Sequence, residues 1–162
     1  MQGCNHHIWA LRHIRHLLTP DVDNTFACSI VGARVDYCNS SLYGASTLSI
    51  TQQQRLQNSL ACVVLQLLRR TDAEEPFLRS LHWLSVEHRL TYKLAILTFN
   101  VRLMAKPDYL NSLISNCVTG TRMLLRSSTR SLMAVPRTNT VCASRSLSVC
   151  APVVRNSFPP DV

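Results

Sequence analysis

The chain has 162 residues, 46% of them hydrophobic and only 6% aromatic, with a formal net charge of +8. That length holds one domain with a real core, or a core plus a tail, and the hydrophobic share excludes wholesale disorder. The basic balance points to polyanionic partners, nucleic acid ahead of an anionic membrane, and fifteen Arg against two Lys (Lys93 and Lys106) favours two-point grips on phosphate.

Residues 8–18, IWALRHIRHLL, set Ile8, Leu11, Ile14, Leu17 and Leu18 at helical spacing, with His and Arg on the opposite face. Thr19, Pro20 and Asp21 then read as an N-cap, a first helical residue and a favourable charge at the positive end of the helix dipole. The spacing predicts a second helix over about residues 20 to 35, burying Val22, Phe26, Ile30 and Ala33. After VDYCNSSLYGAS, Thr51-x-x-Gln54 reads as a capping box. A third helix follows, with Leu56, Leu60, Val63, Val64, Leu67 and Leu68 on one stripe and Arg69 and Arg70 at its C-terminal end. A short helix is expected near 76–82. Ser85 is placed to cap a fourth long helix, 86–104, with Leu90, Leu94, Leu97, Val101 and Met104 facing inward. Pro107 opens a short turn of helix, DYLNSLI.

From about residue 119 the composition shifts. Arg122, Arg126, Arg130, Arg137, Arg145 and Arg155 stand against a single acid, Asp161, among dense Ser, Thr and Pro. RMLLRSS and SLMAVPR could pair as a short β-hairpin, and SRSLSVCAP could form a helical turn. Six Arg to one acid make this segment a candidate for phosphate contact, with Arg122, Arg126, Arg130, Arg137 and Arg145 the residues expected to bind nucleic acid.

Chemistry-bearing constellations are sparse. A two-metal polymerase or nuclease site needs two or three converging carboxylates; the nine acids here are scattered, and capping explains Asp21 and Asp23. Cys4, His6, His7, His13 and His16 lack paired zinc-ligand spacing, so no metal or other cofactor is expected. Four Gly, none in phosphate-loop spacing, exclude a glycine-rich nucleotide cradle. Trp83 could stack a base, but an anchor between helices is the stronger reading. Seven Cys, an odd count with no CxxC pair, and a start without an apolar segment suggest reduced thiols and an intracellular chain, in nucleus or cytoplasm. No apolar run is long enough to span a bilayer, so no membrane partner is expected.

Ten short stretches fall in one order: LTPD, R-x-DYCN-S-x-LYG, RLQN, LHWL-x-V-x-x-R, YK, P-x-YL, LRSS, VPR, AP and N-S-x-P. Together, over about residues 8 to 160, they resemble the C-terminal part of reverse transcriptases from non-LTR (LINE-type, jockey-like) retrotransposons. The resemblance implies a helical thumb and the segment beyond it, with the family's catalytic aspartates lying upstream and having no counterpart here. It makes Asp36, Tyr37, Asn39 and Tyr43 scaffold: Asp36 paired with an Arg, the tyrosines packed, Asn39 bonding turn backbone. Leu81, Trp83 and Arg89 join them as structural residues. The sequence departs from the family's pattern at Ser85, Lys106, Ser146-Leu147 and Arg155.

The expected architecture is therefore mainly α: a thumb-like bundle of about four helices over 1–118, then a basic C-terminal segment, 119–162. The expected function is that of a truncated, reverse-transcriptase-derived protein with no enzymatic site, at most holding RNA or an RNA/DNA hybrid. The alternatives are a helical protein-interaction module, self-associating through exposed apolar surface, or a retrotransposon relic without nucleic-acid affinity.

Overall fold

The computed structural model of the chain describes residues 2–37, 42–66, 74–115 and 132–159, which are mainly helical. The chain divides into two compact units, residues 1–39 with 45–89, and residues 40–44 with 90–162. The composition shift at 118–119 lies outside the described residues.

In the first unit, α1 (Gln2–Ile14) begins earlier than the apolar spacing suggests and ends in a 3-10 turn, Arg15–Leu17. The next helix is continuous but not uniform: α2 (Pro20–Phe26), a π-helical stretch (Ala27–Gly32) and α3 (Ala33–Asp36). Thr19 adopts extended backbone before Pro20, and its carbonyl accepts the Asp23 N–H at 2.9 Å, although its side chain makes no cap bond. The π stretch adds a residue to one turn and shifts the helical phase. Asp23, Ala27 and Val35 are the buried residues of this helix. The expected inward stripe is corrected here: Val22 and Phe26 are both 41% exposed, and Ala33 is exposed too. Ala27, with no side chain beyond Cβ and fully buried, lets the π segment approach α1 and α4 closely.

Helix α4 runs Thr47–Val64, with Ser46 at its cap position. The capping-box reading of Thr51 and Gln54 is corrected, because both lie inside the helix. Thr51 Oγ1 donates to the Thr47 carbonyl at 2.7 Å. Gln54 instead reaches a distant segment: its Oε1 accepts the Val86 N–H at 2.9 Å, and Gln57 Nε2 donates to the Leu84 carbonyl at 2.6 Å. These two amides fix the entry to the next long helix, Gln54 satisfying an N–H that a helix start leaves open and Gln57 holding the carbonyl two residues before it. The core of this unit joins Ile8, Leu11, Ala27, Val35, Leu60, Val63 and Val64, with Leu56, Leu81 and Trp83 packed against it. Leu67, Leu68, Arg69 and Arg70 lie outside the described residues. Helix α5 (Glu74–Ser80) packs on α4.

Helix α6 (Val86–Met104) has the bounds that the spacing predicts. In the second unit it buries Leu90, Leu94, Thr98 and Val101, with Leu97 half-buried. Met104 was expected to face inward and is 64% exposed. A turn of helix, α7 (Asp108–Asn111), follows, and then α8 (Val141–Ser144) and α9 (Leu147–Ser157). The helical turn expected from SRSLSVCAP is part of α9, which runs on to Ser157. Pro152 sits inside α9 and is fully buried, where its missing N–H removes one ladder bond but its ring fills the core. Two apolar clusters result: Val101, Ile114, Met133 and Ala151, and Leu94, Cys150 and Val154, with Tyr43 and Phe158 packed on the second. The RMLLRSS half of the expected hairpin lies outside the described residues. Residues 132–138 form no helix, and Met133 makes an isolated β-bridge. The Asn156 amide clamps that residue, Oδ1 accepting the Met133 N–H and Nδ2 donating to its carbonyl, both at 3.0 Å.

Candidate nucleic-acid interface

The residues read as scaffold divide. Asp36, at the end of α3, accepts from Arg89 Nη1 on both carboxylate oxygens at 3.0 Å. The Arg89 side chain is only 21% exposed and the Asp36 side chain 40%, so the pair is partly desolvated. Trp83 and Leu81 are half-buried against the first core, which makes Trp83 an inter-helix anchor rather than a stacking platform. Tyr43 packs against Leu94, Cys150 and Val154. Tyr37 is a correction: it is 81% exposed and does not pack, because α3 ends at Asp36 and the chain turns extended there. Asn39 lies outside the described residues.

Beneath Trp83 a cavity of about 20 Å³ is lined by Ala27, Val35, Gln57, Leu60 and Arg89 among others. Gln57 Oε1 has no hydrogen-bond partner. The space suits one water-sized molecule and no cofactor. Among the described residues no three His, Cys, Asp or Glu side chains gather as a metal site. None of their helices is long and apolar enough to cross a membrane. Burial pushes the Cys150 thiol up, against the backbone N–H groups of Cys150 and Ala151, so it is a poor nucleophile. Asp23 is fully buried with neither carboxylate oxygen hydrogen-bonded. Desolvation raises its pKa, and the Arg15 charge only partly opposes this.

Of the arginines expected to bind nucleic acid, Arg122, Arg126 and Arg130 lie outside the described residues. Arg137 is exposed on the irregular segment after Met133, while Arg145 is half-buried at the end of α8. These two therefore sit on different elements, and only Arg137 is freely presented to solvent.

Spacing drew attention to the C-terminal arginines, but α1 carries a more organised surface. His6, Trp9 and His13 recur at intervals of three and four residues, so they share the face of α1 opposite Ile8 and Leu11, and His16 follows in the 3-10 turn. All four are exposed, Trp9 by 59%. The Trp9 ring lies 4.1 Å from the His13 ring centroid and stacks on His6 at 6.4 Å. His13 Nδ1 lies 3.0 Å from the Trp9 carbonyl, which fixes that ring along the helix. Arg12 is exposed beside the row, and no acid occurs before Asp21. A row of flat rings with cationic neighbours and no carboxylates is the chemistry of a base-stacking surface on a polyanion. The signal was legible as the His- and Arg-bearing face of IWALRHIRHLL; the exposure of Trp9, which makes it a surface rather than an anchor, was not.

Comparison with known protein families, with curated proteins and with solved structures gives no match.

Proposed function

We propose that residues 1–162 hold single-stranded RNA or an RNA/DNA hybrid, as a thumb-like, non-catalytic portion of non-LTR reverse-transcriptase ancestry. The observation that carries the binding reading is the exposed ring row His6, Trp9, His13 and His16, beside Arg12 and free of acids. The ordered run of short stretches from LTPD to N-S-x-P supports the ancestry. Several of those stretches meet in the fold: Gln57 of RLQN bonds Leu84 of LHWL, and Asp36 of DYCN pairs with Arg89 of the same LHWL-x-V-x-x-R stretch. The nine scattered acids support holding over polymerisation.

The test is fluorescence anisotropy of a labelled single-stranded RNA at several salt concentrations. Two or three phosphate contacts give a log–log slope of about −1.5 to −2 for a single strand. A slope near zero, or binding that never saturates, overturns the reading.

A further inference from the structure

Glycine weakens a helix, yet Gly3 stands in the first turn of α1. What it admits is a cation. Arg34 Nη1, from α3, lies 3.0 Å from where a Cβ on Gly3 would sit, so a side chain at this position would crowd the guanidinium. Arg34 is exposed, and among the described residues no carboxylate pairs with it, Asp36 being held by Arg89. The first turn of α1 carries no acid either. A guanidinium over the positive end of a helix dipole, with no anion beside it, is electrostatically unfavourable, and an incoming anion relieves it.

The place of this cation ties it to the ring row. Residues three and four apart on a helix are neighbours, so Gly3 adjoins His6 and His7, whose rings meet edge to face at 5.7 Å. His6 in turn stacks on Trp9 at 6.4 Å. Gly3 precedes His6 by three residues and Arg12 follows Trp9 by three, so Arg34 and Arg12 flank the row on opposite sides. They are staggered as well: Gly3 and Arg12 are nine residues, about 14 Å, apart along the axis, the length of about four stacked nucleotides. Rings for bases with cations for phosphates at both edges is the pattern of a single-strand surface. Building on the nucleic-acid reading of α1, we infer that Arg34, seated over Gly3, is a phosphate-binding residue of that surface. A single-stranded RNA then crosses the helix obliquely from Arg34 to Arg12, with its bases on His6, Trp9 and His13.

The test is the anisotropy of a labelled oligouridine titrated with the full chain over a range of salt. Arg34→Gln should flatten the log–log slope by about 0.7, one phosphate contact on a single strand, and weaken binding at 0.1 M salt about fivefold, the factor that slope gives over one decade of salt. Its urea midpoint should not move, since the side chain is exposed. Arg34→Lys should keep the slope, because it keeps the charge. Gly3→Leu should weaken binding about as much as Arg34→Gln, and the two together no more than either alone, because both empty the same seat. Arg55→Gln, an equal loss of charge at an exposed residue of α4, should leave slope and affinity in place. Unchanged slope and affinity in Arg34→Gln, while Trp9→Ala still weakens binding, overturns the inference and leaves the reading of α1 standing. An equal fall in Arg55→Gln overturns it too, by making net charge the cause. Absence of saturable binding by the wild-type chain overturns both.

Discussion

Replacing Asp23 by Ala should stabilise the first unit at neutral pH. Asp23 is fully buried in the first turn of α2 and neither oxygen has a donor. A buried polar group left unsatisfied costs about 1–3 kcal/mol. Ala removes that penalty and forfeits the carboxylate's interaction with the helix N-terminus, about 0.3–1 kcal/mol, together with the attraction of Arg15. The balance is a gain of about 1 kcal/mol at pH 7. The pH dependence has a definite sign. The native pKa is raised above the ordinary 3.8, so the folded chain holds a proton that the unfolded chain has already released. Stability therefore falls as pH rises from 3.8 to the native value and stays low above it. The advantage of Asp23→Ala should appear at neutral pH and shrink as pH falls toward 3.8. Urea unfolding followed by tryptophan emission reads this unit selectively, because Trp9 and Trp83 both belong to it. A variant destabilised by 1 kcal/mol or more at pH 7, at about that magnitude or beyond, would mean that the carboxylate is satisfied and that its burial has been misjudged.

Two further stability measurements probe long-range side-chain contacts. A double-mutant cycle of Asp36→Ala and Arg89→Ala should return a coupling of about 1 kcal/mol in urea unfolding, the upper end for exposed pairs because only Asp36 is substantially wet; additive single effects would dismiss the pair. Asn156→Ala leaves the N–H and carbonyl of nearly buried Met133 without their clamp, and should lower the stability of the second unit by about 2 kcal/mol, read by amide hydrogen exchange at Met133 and Ala151. Unchanged exchange there would show that the clamp contributes nothing.

Much of the helical framework was legible because the apolar spacing is strong. The bounds of α6 follow from Ser85 and from the run Leu90, Leu94, Leu97 and Val101. Other features were hidden for identifiable reasons. Over residues 20–36 the apolar spacing of Val22, Phe26 and Ile30 marks one face, whereas Asp23 and Ala27 turn inward, and the π stretch that follows is not anticipated by a 3.6-residue period. Gln54 looked like a capping residue of its own helix but serves the start of α6, a contact spanning 32 residues that local spacing does not encode. Only a helical turn was expected over SRSLSVCAP, yet α9 continues through Pro152, whose ring is buried, to Ser157. On α6 the spacing marks the covered face through Leu90, Leu94 and Val101, but not where it ends, since Met104 is exposed. The candidate site behaves similarly: the order of residues gives the ring spacing on α1, whereas the exposure of Trp9 depends on what packs against it.

The most direct measurement is the emission of Trp9, taken as the difference between the wild-type chain and Trp9→Phe, during titration with single-stranded RNA. Stacking of a base on the indole predicts saturable quenching that salt reverses, and Trp9→Ala should weaken binding by about 1–3 kcal/mol, roughly 5- to 150-fold, while leaving the urea midpoint in place. RNA that binds with Trp9 emission unchanged and with full affinity for Trp9→Ala would show that α1 is not the surface that holds nucleic acid.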